Sequence, residues 1–290
     1  MEQPFVSLLT STDWNEEWKQ LQAARKHADD VAVWDEKAKT FPVKHGSHEG
    51  YAEAFFELAG IRPDETVLDM GCGTGTLATP LAMAGNKVIA CDFSGGMLRK
   101  MMEDQASLGV TGVETHQMSW ADDWENFGLG PKSVDVALAS RSIVTDDLQE
   151  SLMKLDRVAR RRVCLTLPCG PSPRTDERLL AALGVSKRVG RDFMYAFNIL
   201  AANGINPEVA YIPSVRMEVY DSFEEAHAGF SRIATEAVRE LLTEEERADV
   251  PNKLEKWLKD NLVHDERGYH LSEDRKVTWA FLAWQPHEDK

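Results

Sequence analysis

The chain has 290 residues, 33 Lys+Arg against 48 Asp+Glu, and a formal net charge of −15. That length corresponds to one large domain or two small ones. With 43% hydrophobic and 28% charged residues, the composition excludes wholesale disorder, collagen-like structure and a coiled coil. The acidic balance opposes nonspecific binding to nucleic acid or to an anionic membrane, which both need a positive field. No run approaches the roughly 18 apolar residues of a membrane span, and no basic-then-apolar leader opens the chain. Cys72, Cys91, Cys164 and Cys169 form no CxxC pair. They are expected to be free thiols in a reducing cytoplasm, with no metal site.

Trp14, Trp18, Leu21 and Arg25 recur at helical spacing, with Asp13 as N-cap. A second helix is predicted over 29–41, carrying Val33, Trp34, Ala38 and Phe41, and Pro42 ends it. A third, over 49–59, puts Tyr51, Ala54, Phe55 and Leu58 on one face and stops at Gly60. Then the pattern changes. Short apolar runs at 66–70, 87–91, 112–117, 134–139 and 162–167 read as strands, and 76–84, 96–107 and 147–159 read as helices between them. Such alternation means parallel βαβ units buried on both faces. The triplet Arg160, Arg161 and Arg162 just ahead of the fifth strand reads as a solvated edge.

Later in the chain, a helix is predicted over 190–203 and a strand within 208–220, where Pro213 implies an edge or a bend. The stretch 222–262 is mostly helical; Thr243 before three glutamates marks one start, and Pro251 another. A closing strand spans 276–284. The predicted fold is α/β, a doubly wound, mostly parallel seven-stranded sheet with an N-terminal helical extension and a helical insertion before the last strand. Residues 1–48 form the extension or lid, and 49–290 the main domain, with the insertion at about 222–270 acting as a lid or an oligomer surface. A homodimer is left open.

The informative segment is Val67-Leu68-Asp69-Met70-Gly71-Cys72-Gly73-Thr74-Gly75. A strand runs into three alternating glycines and a helix begins behind them, which builds a nucleotide-type crevice. Asp92 follows Gly71 by 21 residues, at the end of the second strand. A carboxylate there can accept both hydroxyls of a ribose.

These residues resemble the class I S-adenosylmethionine-dependent methyltransferases, whose fold is Rossmann-like. Val67 to Gly75 is similar to their first motif, and Cys91-Asp92-Phe93-Ser94 to their second. The glycine spacing is G-x-G-x-G with an acidic residue two positions ahead, not the G-x-G-x-x-G of dinucleotide oxidoreductases. The resemblance implies S-adenosyl-L-methionine as cofactor and a small-molecule acceptor, methylated by in-line displacement. It implies that Asp69 binds the ammonium of the methionine moiety and that the backbone of Gly71, Cys72 and Gly73, with Thr74 and Gly75, packs against that moiety. Asp92 would hold the ribose, Phe93 and Met97 would lie by the adenine, and Ser94 would belong to the same turn. Met118-Ser119-Trp120 occupies the third motif, with Ser119 where an acid often bonds the adenine amine. The fourth motif aligns with Ala139-Ser140-Arg141-Ser142, where methyl donor and acceptor meet. No Asn-Pro-Pro-Tyr follows, so amino-methylating DNA enzymes are a poor match.

Trp34 and Phe41 stand ahead of the core, where an aromatic lid often lies in small-molecule methyltransferases, and ordinary helix packing explains them equally well; His45 is a candidate base or ligand, though a loop histidine is usually just solvated. Tyr195 and Asn198 share a helix face that borders the acceptor pocket in that family, but a core tyrosine is as good an account. Together with Arg141 these are the candidate acceptor residues. No catalytic base stands out. The rivals are a nucleotide-dependent oxidoreductase and a catalytically degenerate, cofactor-binding scaffold.

Overall fold

The central strands are buried in near-continuous apolar runs, so both faces of the sheet must be covered, and helices cover both. A computed structural model describes residues 7–25, 31–39, 50–143, 145–170, 176–185, 190–216, 218–238 and 242–287. The N-terminal helices are α1 (Leu8–Ser11), α2 (Trp14–Arg25), α3 (Val31–Lys39) and α4 (Tyr51–Ala59). The βα units follow as β1 (Thr66–Met70), α5 (Ala78–Met83), β2 (Lys87–Asp92), α6 (Gly95–Leu108), β3 (Val113–Gln117), β4 (Val134–Ser140), α7 (Leu148–Val158) and β5 (Ala159–Cys169). Then come α8 (Glu177–Ala182), α9 (Asp192–Ala202), β6 (Glu208–Arg216), β7 (Val219–Tyr220), α10 (Phe223–Val238), α11 (Glu244–Ala248) and α12 (Val250–Asn261). The chain closes with β8 (Leu262–Asp265), β9 (Gly268–Leu271) and β10 (Arg275–Trp284).

The main sheet has seven strands in the order β3-β2-β1-β4-β5-β10-β6. Strands β1 to β5 run parallel, and β10 runs antiparallel to both β5 and β6. One face buries Ala137, Ala139, Leu165, Ala280 and Leu282 under α2, α7 and α9. The other buries Val136, Leu138, Trp279 and Phe281 under α4, α5 and α6. Chain order reverses between β1 and β4, and ligands bind outside the carboxyl ends of strands at such a switch point. Among the described residues, no helix is long and apolar enough to cross a membrane, and no group of His, Cys, Asp and Glu could hold a metal ion.

The sequence-based elements agree in kind and order, with differences that have physical causes. The arginine triplet is not a solvated edge. It lies inside β5, where half-exposed Arg160 pairs with Asp135, and the less exposed Arg161 and Arg162 pair with Glu65 and Glu208. The late insertion is not purely helical. Its helices pack on a three-stranded sheet, β7-β9-β8, around Phe230, Leu254 and Trp257. Leu179 and Leu180 of α8, with Leu183 just past its end, join that cluster, so the unit gathers residues on both sides of β6. Pro213 sits on an edge strand as expected, because its missing N–H would break a central ladder. Asp13 caps α2 by accepting from the Asn15 and Glu16 amides, and Thr243 with Glu246 forms a capping box.

Candidate functional site

The crevice is built from the turn after β1. The amides of Gly71 and Cys72 both donate to the Cys91 carbonyl, at 2.7 and 2.9 Å, and so bend the chain across the end of β2. Gly71, at φ +74°, leaves no room for a side chain: a Cβ there would come within 2.3 Å of Ser142 Cβ. Ser142 is fixed in turn by its hydroxyl, which donates to the Met70 carbonyl at 2.6 Å. Gly73, at φ +56°, is the opposite case, since a Cβ would meet no atom within 4 Å. Open space at a left-handed glycine is shared by helix caps such as Gly60 and Gly109; Gly73 differs in lying at the strand ends, beside Asp92.

Asp92 closes the turn. Its Oδ2 accepts from the Gly73 amide at 2.8 Å and its Oδ1 from the Ser94 amide at 2.9 Å. Each carboxylate oxygen can accept a second bond, so hydroxyl partners can still be taken. Burial raises the Asp92 carboxyl above its ordinary value and Asp35 adds to this, while the two amides oppose it. Asp69, two residues before Gly71, is 2% exposed. Burial and the nearby Asp92 push its carboxyl up to about 7, against the Ala78 amide and the Arg141 guanidinium. A buried carboxylate that these two groups offset only in part favours a further cationic partner. Burial pushes the Cys72 thiol well up, so it is no thiolate nucleophile at neutral pH.

The other expected site residues fall as follows. Thr74 lies in the turn that Gly75 closes by donating to the Cys72 carbonyl. Met97 is buried, Phe93 is half-buried, and Ser94 caps α6 through the Met97 amide. The amide of Met118 donates to the Asp92 carbonyl, which sets Ser119 and Trp120 just past the end of β3. The Ser119 amide donates to Asp122, and Trp120 Nε1 donates to the Ser142 carbonyl at 3.0 Å. Ser140 ends β4 with its hydroxyl 2.8 Å from that of Tyr51. Arg141 follows in a left-handed conformation. Burial lowers its guanidinium from the usual value, and Tyr51 and Asp69 counter this.

Phe41 and His45 lie outside the described residues. Trp34 is half-buried on α3, with the Lys37 ammonium 4.5 Å from its ring centroid. The Tyr195 hydroxyl donates to Glu17, and its ring packs edge-on against Trp14 and Trp18. Asn198 donates to the Met194 carbonyl of its own helix. The aromatic residues of α2 cover Tyr195, which fits the core-tyrosine account of it.

Three contributors were not legible in the sequence. Asp35 of α3 accepts from the Ser94 hydroxyl at 2.6 Å and the Gly96 amide at 2.8 Å, and so seats α3 on the start of α6. Tyr51 and Thr166 join hydroxyls at 2.8 Å beneath Arg141. Asp35 lies 59 residues before Ser94 and carries no local signature, and Tyr51 reads as a helix-face aromatic.

Residues 67–162 match the family described as Methyltransferase domain. An uncharacterized protein of Haemophilus influenzae is 34% identical over 186 residues, covering 62% of this chain and 65% of that protein. A demethylmenaquinone methyltransferase of Beutenbergia cavernae is 30% identical over 126 residues, covering 40% of this chain and 52% of that enzyme. The chain thus spans between half and two thirds of the length of these relatives. The YcgJ protein of Bacillus subtilis has a similar fold, with a TM-score of 0.53 at 14% identity over 83% of this chain and 100% of that one. Residues 67–162 are thus similar to a methyltransferase domain, a family that takes S-adenosylmethionine, and they lie in a Rossmann-like sheet. The open cradle at Gly73, between an acid fit for an ammonium and an acid fit for ribose hydroxyls, suits that cofactor.

Proposed function

We propose that the protein transfers a methyl group from S-adenosyl-L-methionine to a small-molecule acceptor. The observation that carries this reading is the glycine turn tied to Asp92, whose carboxylate accepts from the Gly73 and Ser94 amides at the end of β2. The cofactor, when bound, supplies an electrophilic methyl on a sulfonium sulfur. Asp69 takes its ammonium, Asp92 its ribose hydroxyls, and Phe93, Met97 and Ser119 border its adenine. Ser140 and Trp34 flank the acceptor side. The chain's part is to align the partners and exclude water, which is enough for a displacement that removes charge. The oxidoreductase alternative is not favoured, since its glycine spacing is absent and residues 67–162 match methyltransferases. The net charge of −15 supports a small molecule over nucleic acid as acceptor. Four free cysteines, three of them buried, fit a reducing cytoplasm.

Calorimetric titration with S-adenosylmethionine and S-adenosylhomocysteine tests the reading, and no binding at millimolar ligand refutes it. Conversion of the cofactor to S-adenosylhomocysteine in a metabolite extract separates an enzyme from a scaffold. Asp92→Ala is expected to weaken cofactor binding by about 1.5–3 kcal/mol for each charge-assisted bond lost, measured as the dissociation constant of a folded variant. An unchanged constant would take the ribose role from Asp92.

Asp69 makes binding pH-dependent. Burial and Asp92 push its carboxyl up to about 7 in the folded chain, above the ordinary aspartate value near 3.8. Rising pH between those values therefore costs stability, and an ammonium ligand recovers it by favouring the ionised form. Affinity for S-adenosylhomocysteine is expected to rise several-fold from about pH 6 to about pH 7.5, with proton release on binding at the lower pH. Titrations in buffers of differing ionisation enthalpy read this directly. A flat profile would mean that Asp69 is already ionised in the free protein.

A further inference from the structure

We propose that Arg141 holds the carboxylate of the cofactor's amino-acid end, so that Asp69 and Arg141 together read a zwitterion. The inference rests on the S-adenosylmethionine reading above and moves Arg141 from the acceptor side to the cofactor. Strands β1 and β4 are parallel neighbours, with Asp69 paired to Leu138. Asp69 and Arg141 therefore stand near the carboxyl ends of adjacent strands, on the two sides of the switch point.

Arg141 is held there from several directions. Its amide donates to Thr166 Oγ1 at 3.0 Å, and its φ of +60° turns the chain sharply after β4. A non-glycine residue in that conformation costs about 1–2 kcal/mol and persists only when its surroundings enforce it. The guanidinium carbon lies 4.2 Å from the Tyr51 ring centroid and 5.9 Å from that of Trp279. Tyr51 is itself pinned by hydroxyls at 2.8 Å on Ser140 and Thr166. The next residue, Ser142, presses on Gly71 and bonds the Met70 carbonyl, so the segment after β4 lies directly against the glycine turn. Arg141 is only partly exposed, and its charge acts on Asp69. A cation and an anion fixed this way at one end of a crevice match a ligand whose ammonium and carboxylate sit on one carbon. A bare cation would be repelled by Arg141, and a bare anion by Asp69.

The test compares S-adenosylhomocysteine with 5′-methylthioadenosine, which lacks the amino-acid end. Arg141→Gln is expected to weaken S-adenosylhomocysteine about tenfold to hundredfold and 5′-methylthioadenosine by no more than about twofold, with Arg141→Lys recovering part of the loss. Unchanged S-adenosylhomocysteine affinity, or an equal loss for both ligands, overturns the inference. Should Arg141→Gln fail to fold, the native protein answers with decarboxylated S-adenosylmethionine. That ligand is expected to bind at least about tenfold more weakly than S-adenosylmethionine, and equal affinity overturns the inference as well. A native protein that binds none of these ligands removes the cofactor reading, and this inference with it.

Discussion

Gly73→Val is expected to abolish cofactor binding, weakening S-adenosylmethionine at least about hundredfold, or about 2.7 kcal/mol, while the sheet stays folded. No atom of the folded chain lies within 4 Å of the added Cβ, so the branched side chain enters open space that the proposed function gives to the cofactor. The cost to the fold is confined to the left-handed backbone, about 1–2 kcal/mol. Gly71→Ala makes the informative contrast. Its Cβ would sit 2.3 Å from Ser142 Cβ, so Ser142 must move and its hydroxyl must leave the Met70 carbonyl. That variant should lose stability by about 2–5 kcal/mol, the sum of overpacking and backbone strain. Thermal melting and calorimetric titration of both variants separate the effects. If Gly73→Val still saturates normally with cofactor, the cradle is not the binding site.

Trp18→Ala is expected to cost about 3–5 kcal/mol, with an orphaned Thr145 carbonyl adding to the loss of packing. Trp18 is 2% exposed, its Nε1 donates to the Thr145 carbonyl at 2.8 Å, and its ring meets Tyr195 edge-on. Around it, Arg25 forms a paired contact with Asp192, and Lys19 reaches Asp147 at 2.6 Å. At about 2–4 °C per kcal/mol for a chain approaching this size, the melting temperature should fall by roughly 10 °C. A change of only a degree or two would mean that α2 is dispensable. The same observations divide the N-terminal extension. Helix α2 is a fixed wall of the core, whereas α3 is seated on α6 through the Asp35 contacts and Ala38. A moving lid, if the protein uses one, belongs to α3, where Trp34 stands. Removing the whole extension would therefore unfold the protein before it tested the lid.

The order of the βα units, the glycine turn and Asp92 were legible in the sequence because each is written in neighbouring residues. Strand runs carry their burial in their own apolar character, and the turn after β1 needs glycines wherever a Cβ would collide or fill the crevice. Even the edge position of β6 was announced by Pro213. Side-chain destinations were different. The face shared by Tyr195 and Asn198 says nothing of which helix will cover it, and α2 arrives from nearly 180 residues away, as the 178-residue separation of Glu17 and Tyr195 records. The arginine triplet looks like a solvated edge until Asp135, Glu65 and Glu208 are brought beside it. Arg141 is one residue in a strand-end motif, yet its burial on Tyr51 and its approach to Asp69 depend on four separate elements meeting. Local pattern determined which elements form and where the crevice opens. Only tertiary packing, which joins residues far apart in the chain, decided which charges face that crevice.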